Sequence, residues 1–408
     1  MFENDIVSRK LKIAEFIDTF YPNIDGVVSV TDHYAKRLNL HDHCTVIAPK
    51  RKNYVDDLTY EVIRCKAFMV PLLKMDCGVP SIDIKLKKTL MAGNFDIFHV
   101  HSPFSLGRYA LNMARKLDIP IIATFHTKYY DDFKKYLKLN ILAKGALKAV
   151  VDFYEKVDEV WTVNNNMVET LREYGFKGKA IVMDNATEFD FPEDVDSLKD
   201  MVNQIYHIGK DELVFAFVGQ LILQKNIKLT ISSAKLLKES GLKFKLFMVG
   251  TGFDEKYIKE YTKELGLEED VIYTGRISDR KLLSAIYSRS TLLLFPSLYD
   301  ASSIVLIEAA AHKLPGVLIE GATTAEKIVD GHNGFLSEND PERYSRKILD
   351  ILKDEELVKK AGENAYLEIY HNWDGVIKRA RERYYYIIKN YKGKPATSYK
   401  KRHEWGKV

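Results

Sequence analysis

Apolar residues along this chain come in short runs separated by amphipathic stretches. Residues 11–17 form a first apolar run and predict a strand, followed by a loop at 18–26 and a helix at about 28–38. Residues 44–48 and 67–71 read as further short strands. Apolar runs at 96–100 and 121–124 flank a helical segment, 106–117, and a long stretch at 129–156 has helical periodicity with aromatics and lysines mixed, before 159–163 returns to strand. This alternation predicts parallel strands joined by crossover helices.

From residue 213 the alternation restarts with greater regularity. Strands are expected at 213–218, 244–249, 271–274 and 291–295, with helices near 227–239, 254–265 and 279–288 between them; 316–319 and 334–336 complete a second sheet, and 341–364 supplies more helix. The intervening segment is rich in acids and has no strong apolar run, so it reads as a connection. The expected organisation is an N-terminal Rossmann-like domain at 1–188 and a connection at 189–212. A second Rossmann-like domain at 213–372, an amphipathic aromatic helix at 373–392 and a basic tail at 393–408 follow.

Length agrees with two domains, since 408 residues exceed the size at which a single core stops growing. A formal charge of +4 from 61 basic and 57 acidic side chains is too balanced to indicate a nucleic-acid partner. Cys44, Cys65 and Cys77 are odd in number and lack a CxxC pair, which predicts reduced thiols in a cytosolic protein. The N-terminus shows no signal-peptide pattern, and no run of about twenty apolar residues occurs. The expected location is therefore cytoplasmic, with any membrane contact made peripherally from the cytosolic face.

Candidate chemistry gathers at 295–312. An apolar run ends at Pro296, a polar loop follows, and a helix is expected to start at Ser302 or Ser303, leaving free amides and the positive end of a helix dipole at a strand terminus. Asp300 and Glu308 frame this junction, and Glu308 lies in an otherwise apolar segment where a carboxylate needs a partner. Loop capping by Asp300 and pairing of Glu308 with a lysine is the structural alternative. Gly219 and Gln220 follow the first strand of the second domain, with Lys225 at the next helix start, where it either holds a diphosphate or is a solvated loop lysine. Gly250 and Thr251 begin a Gly-Thr-Gly loop that either admits a ligand or makes a turn. In the first domain Gly26 could present amides to a phosphate, and His99, His101 and His126 lie near predicted strand ends. Neither a GxGxxG fingerprint nor a Walker loop is present. The Asp194-Val195-Asp196 triplet lies in the acid-rich connection and reads as solvated, so no metal is expected.

Taken together, Val218-Gly219-Gln220-Leu221 with Lys225, Gly250-Thr251-Gly252, Asp300 with Glu308, and Asp330-Gly331-His332-Asn333-Gly334-Phe335 resemble the retaining glycosyltransferases of family four. The resemblance runs from Ile13 to the C-terminal helix. It implies the GT-B fold, two Rossmann-like doubly wound domains facing across a cleft, with the C-terminal helix crossing back to the first. It also implies a metal-independent hexosyltransferase with no cofactor beyond its nucleotide-sugar donor substrate. By this resemblance Glu308 holds the donor ribose, and Asp300 with the amides of Ser303 and Ile304 meets the donor sugar and diphosphate. Lys225 neutralises the diphosphate, the Gly250 loop and the backbone near Arg276 and Ile277 receive the base, Gly26 closes over the phosphates, and His126 sits beside the reacting sugar. UDP-glucose is the first donor implied, ahead of UDP-N-acetylglucosamine, UDP-galactose and GDP-mannose. Two residues depart from the family pattern: Gln220 replaces a usual arginine, and Asp300 replaces a usual glutamate.

The segment starting His126-Thr127-Lys128-Tyr129 is similar to that of bacterial diacylglycerol glucosyltransferases, which implies a diacylglycerol or glycolipid acceptor. Tyr129, Tyr130, Lys134 and Lys135, with later lysines, could form a surface for anionic lipid, and His101 is placed on the same acceptor side. An ordinary amphipathic helix with snorkelling lysines is the competing reading. A polysaccharide or other glycan acceptor, and a nucleotide-sugar binding protein without transfer activity, are the alternatives.

Overall fold

A computed structural model of the protein describes residues 9–70, 75–130, 133–134, 140–298, 300 and 303–393. The chain divides into two compact units, Met1–Asp184 with Asp374–Val408, and Asn185–Trp373.

The first unit is built on β1 (Lys12–Phe16), β2 (His43–Pro49), β3 (Glu61–Cys65), β6 (Ile97–Val100), β7 (Ile121–Phe125), β8 (Glu159–Thr162) and β9 (Ala180–Val182). These form one seven-stranded sheet in the order β3-β2-β1-β6-β7-β8-β9, and every recorded pairing in it is parallel. Central strands are buried on both faces, which is why they read as continuous apolar runs. Crossover helices include Gly26–Leu38 and Ser105–Leu117. β4 (Ala67–Val70) and β5 (Met75–Gly78) make a separate antiparallel pair, so the strand expected at 67–71 lies outside the main sheet. β3 escaped the sequence pattern because it is an edge strand with Glu61 and Arg64 in it. Arg64 donates to the carbonyls of Pro49 and Tyr21 and to Asp56.

The second unit carries β10 (Leu213–Val218), β11 (Phe244–Val249), β12 (Val271–Gly275), β13 (Leu292–Leu294), β14 (Gly316–Ile319) and β15 (Phe335–Ser337). The sheet order is β12-β11-β10-β13-β14-β15, again parallel throughout. The order reverses between β10 and β13, the position at which open α/β sheets bind ligands.

The acid-rich segment 189–212 is more than a connection. It carries the helix Val195–Tyr206, capped by Asp194, with Leu198 and Val202 buried in the core of the second unit. Arg289 fixes its end, donating to Asn203 Oδ1 at 2.6 Å and to the carbonyls of Gly209 and Glu212 at 2.8 Å. Charge at the exposed positions hid the apolar stripe. The helix expected at 341–364 is two helices, Pro341–Ile351 and Glu355–Glu368, because Asp354 caps the second by accepting from the Leu357 amide. The C-terminal helix Trp373–Asn390 belongs from Asp374 onward to the first unit. There Tyr384 stacks on Trp161 at 5.3 Å, Arg381 pairs with Asp42 at 2.6 Å, and Arg383 pairs with Glu159.

Two loops of the second unit touch backbone to backbone. The Gly219 amide donates to Val249 O, the Leu221 amide to Thr251 O, and the Gly250 amide to Gly275 O. A Cβ on Gly250, at φ +134, would lie 1.9 Å from the Gly219 carbonyl oxygen. Gly26, by contrast, has open space where a Cβ would go. We expect Gly250→Ala to cost more than about 2 kcal/mol in urea unfolding and Gly26→Ala to cost less than about 0.5 kcal/mol. Equal midpoint shifts for the two variants would contradict this packing.

Candidate active site

Residues that end β10 and β13 meet at the switch point of the second sheet. β10 runs into Gly219, whose φ of +155 lets the chain turn without strain, and a single 3₁₀ turn, Leu223–Lys225, follows. β13 runs into Phe295, Pro296 and the loop containing Asp300. Lys225 Nζ donates to Asp300 Oδ1 at 2.7 Å and lies 5.8 Å from the centroid of the Phe295 ring. Asn226 ties the same loops together through its Nδ2, which donates to Pro296 O at 3.2 Å and to Asn339 Oδ1 at 2.8 Å. Asp300 Oδ2 is buried and has no hydrogen-bond partner among the described residues. A hydroxyl donor arriving there would satisfy it.

Ser303 is the N-cap of the helix Ile304–Ala311 and accepts from the Leu306 amide at 3.3 Å. That leaves the first amides of the helix, from Ile304, at a terminus suited to anions, three residues along the chain from Asp300. Ser302 lies outside the described residues.

Glu308 sits one turn further on, 8% exposed. It is not paired with a lysine. Tyr287 donates its hydroxyl to Oε2 at 2.8 Å, and Arg280 approaches Oε1 at 3.4 Å while its guanidinium lies 3.8 Å from the centroid of the Phe189 ring. Burial raises the Glu308 carboxyl above its ordinary value, against the opposing pull of Arg280 and Tyr287. An ionised carboxylate accepts at about four lone-pair positions; Tyr287 takes one on Oε2 and both terminal nitrogens of Arg280 approach Oε1 at 3.4 Å, so Oε2 keeps one open for a ligand hydroxyl. Tyr287 and Arg280 were missed from sequence because nothing in the spacing from Glu308 links them.

The other expected donor contacts are placed as follows. Gln220, Thr251 and Arg276 are exposed, while Ile277 and Gly219 are half-buried. Gly250 packs against Gly219 within the second unit, so its glycine character serves the loop contact described above. In the first unit Gly26 opens the helix Gly26–Leu38, where Asp25 is the N-cap and already takes the Val28 amide at 2.9 Å. A phosphate there would have to share the terminus with that carboxylate.

The histidines of the first unit are interior groups. They lie at or next to the ends of β6 and β7 as expected, but inside the unit: His99 and His101 are 0% and 1% exposed and His126 9%. His101 Nδ1 is 3.0 Å from His126 Nε2, and His101 Nε2 is 3.1 Å from Glu15 Oε2. His99 bonds Tyr384 through Nδ1 and Thr124 through Nε2, both at 2.7 Å. Burial drives all three imidazoles below their usual value, His101 to about 3, and drives the Glu15 carboxyl well above its own. Glu15, His99 and His101 bring donor atoms within 4.8 Å of one another, yet every ring nitrogen of the two histidines is already engaged. Hydrogen bonding therefore accounts for the group. Glu15 was legible in principle, as a lone carboxylate inside the apolar run at 11–17.

Tyr129 is 6% exposed, with its ring edge-on to Phe104 and Phe125 and stacked on Phe133, so it does not face outward as expected. Tyr130 is half-buried and carries Lys134 over its ring at 4.4 Å. Lys135 lies outside the described residues. Ile141 and Leu142 are 84% and 52% exposed on the helix Asn140–Tyr154, beside exposed Lys144 and Lys148. Among the described residues no helix is long and apolar enough to cross a membrane.

Comparison with known proteins bears on this arrangement. The model of Glycosyltransferase Family 4 matches residues 24–190, and that of Glycosyl transferases group 1 matches 199–368. A GDP-mannose-dependent alpha-mannosyltransferase of Corynebacterium glutamicum is 25% identical over 81% of this chain and 77% of its own. An alpha-monoglucosyldiacylglycerol synthase of Streptococcus pneumoniae is 25% identical over 75% of this chain and 70% of its own. The crystal structure of Anabaena HepE in complex with UDP-glucose superposes with a TM-score of 0.72 at 15% identity, covering 91% of this chain and 99% of that one. Two parallel-sheet α/β units together with this superposition define the GT-B fold. The chain belongs to the group 1 and family 4 glycosyltransferases, whose two models between them leave only residues 191–198 and the chain ends unmatched.

Removing the Tyr287 hydroxyl takes away a hydrogen bond that favours ionised Glu308. Tyr287→Phe should therefore raise the Glu308 pKa further and move the acid limb of nucleotide-sugar binding to higher pH. Affinity at neutral pH should fall about 10-fold, as expected for a bond to a charged group. Calorimetric titrations between pH 5 and 8 measure both, and an unshifted acid limb would separate Glu308 from binding.

Proposed function

We propose that this glycosyltransferase is a retaining, metal-independent hexosyltransferase that moves glucose from UDP-glucose to a lipid acceptor, diacylglycerol or a glycolipid, as a peripheral protein at the cytosolic membrane face. The observation that carries this reading is the Lys225–Asp300 pair set against the Ser303 end of the helix that also holds Glu308. Cleavage of the bond between sugar C1 and the diphosphate oxygen leaves negative charge on the departing UDP. In this reading Lys225 and the amides at Ser303 and Ile304 stabilise that charge.

Glu308 takes the ribose diol, and Asp300 Oδ2 takes a hydroxyl of the transferred sugar. Gly219, Gln220, Gly250, Thr251, Arg276 and Ile277 make up the remaining donor side. In the first unit Gly26 serves the phosphates and His126 the reacting sugar. The acceptor oxygen attacks C1 on the face from which the diphosphate leaves, and its proton passes to a phosphate oxygen. No side-chain nucleophile is required. Exposed Ile141 and Leu142 with Lys144 and Lys148 support a lipid-bearing, anionic partner surface. GDP-mannose is the second donor to try, because the Corynebacterium relative is named for it.

Incubation with UDP-glucose and anionic vesicles containing diacylglycerol should give an α-linked glucolipid. Its formation should persist in EDTA and fall at least about 100-fold in Glu308→Gln. A β-linked product, or loss of transfer on chelation, would contradict the mechanism; transfer to soluble saccharides with none to lipid would replace the acceptor.

A further inference from the structure

A wholly buried carboxyl group of the first unit lies behind His126. Glu15 on β1 stands in register with His99 on β6 and is wholly buried. Its Oε2 reaches His101 Nε2, and His101 Nδ1 reaches His126 Nε2. His101 and His126 are stacked, with ring centroids 5.3 Å apart. The chain of contacts thus runs from a carboxyl in the sheet to the Nδ1 edge of His126, for which no partner is recorded among the described residues.

A neutral imidazole carries one N–H, so each bond in such a chain fixes the next. If Glu15 donates, His101 must accept at Nε2 and donate from Nδ1. His126 then accepts at Nε2 and carries its proton on Nδ1. If Glu15 accepts, every step reverses and His126 turns a bare nitrogen outward. We propose that Glu15, acting through His101, is a positioning residue that holds His126 in the Nδ1–H tautomer, so that His126 offers a hydrogen-bond donor to the sugar.

Three features favour this direction over its reverse. Glu15 Oε1 has no oxygen or nitrogen within hydrogen-bond distance among the described residues: His99 Nδ1 stands 3.9 Å away and is engaged by Tyr384, and the Cys44 thiol is a weak donor, so an ionised Glu15 would be under-satisfied. The groups packed around the two inner rings are uncharged: Tyr34 lies edge-on to His99 and His101, Tyr384 and Thr124 bond His99, and Trp161 lies against His99. Burial also holds Glu15 toward its neutral form and the imidazoles toward theirs.

The link to the sugar rests on the proposed function, but the tautomer can be read without it. In the full chain labelled with 15N-histidine, a long-range 1H–15N correlation spectrum should show His126, identified by loss of its signals in His126→Gln, protonated on Nδ1. Glu15→Gln, whose amide can still donate to His101 Nε2, should keep that pattern. Glu15→Leu should give mixed tautomers and lower kcat about 10-fold or more with little change in donor KM. Most of the loss should be absent in Glu15→Gln. Wild-type His126 protonated on Nε2, or a Glu15→Gln protein as impaired as Glu15→Leu, would overturn the proposal. Should Glu15→Leu fail to fold, the wild-type and Glu15→Gln spectra still decide it. The predicted tautomers without any sugar transfer would leave the relay standing and remove the functional reading instead.

Discussion

The ion pair between Lys225 and Asp300 is the contact on which the donor-side arrangement depends. It joins the loops that leave β10 and β13, the two strands flanking the reversal of strand order in the second sheet. Each partner is mostly removed from solvent, with side chains 12% and 18% exposed. Such a pair gains from low dielectric but pays desolvation for both ions. Its retention is intelligible where a third charged group is to be received: a diphosphate drawn to the helix amides at Ile304 finds a lysine already aimed, and the aspartate keeps that lysine in place beforehand. Asp300 reaches Lys225 through Oδ1, while its Oδ2 finds no partner among the described residues.

A second constraint is that the same helix must bury a carboxylate without quenching it. Tyr287 and Arg280 satisfy part of Glu308, and burial by the neighbouring apolar residues raises its proton affinity. The balance leaves an acceptor position open on Oε2 of a group held by a tyrosine that is itself fully buried. Preorganisation of this kind lowers the cost of ordering side chains when a ligand arrives. In the first unit burial draws Glu15 and the three histidines toward their neutral forms, and hydrogen bonds link them.

Much of this was legible in the amino-acid order. The strand at 316–319, a helix start at Ser302 or Ser303, of which Ser303 is the cap, and the glycines at 219 and 250 follow from apolar runs, capping chemistry and turn residues, all of which are local. What escaped is non-local or edge-like. β3 hides behind Glu61 and Arg64, the helix Val195–Tyr206 behind its acids, and the Tyr287–Glu308 bond spans two elements with no spacing rule between them. Tyr129 looked like an interfacial ring because its lysine neighbours are visible in sequence and its aromatic neighbours Phe104 and Phe125 are distant in it. Histidines near strand ends suggested an exposed rim, whereas the register of β1 with β6 encloses them around Glu15.

The most direct test of the account is a crystal structure of the full chain with UDP. The diphosphate should lie within hydrogen-bond distance of Lys225 Nζ and the amides of Ser303 and Ile304, with both ribose hydroxyls on Glu308. UDP bound elsewhere, or with its ribose away from Glu308, would contradict the assignment of this junction as the donor site.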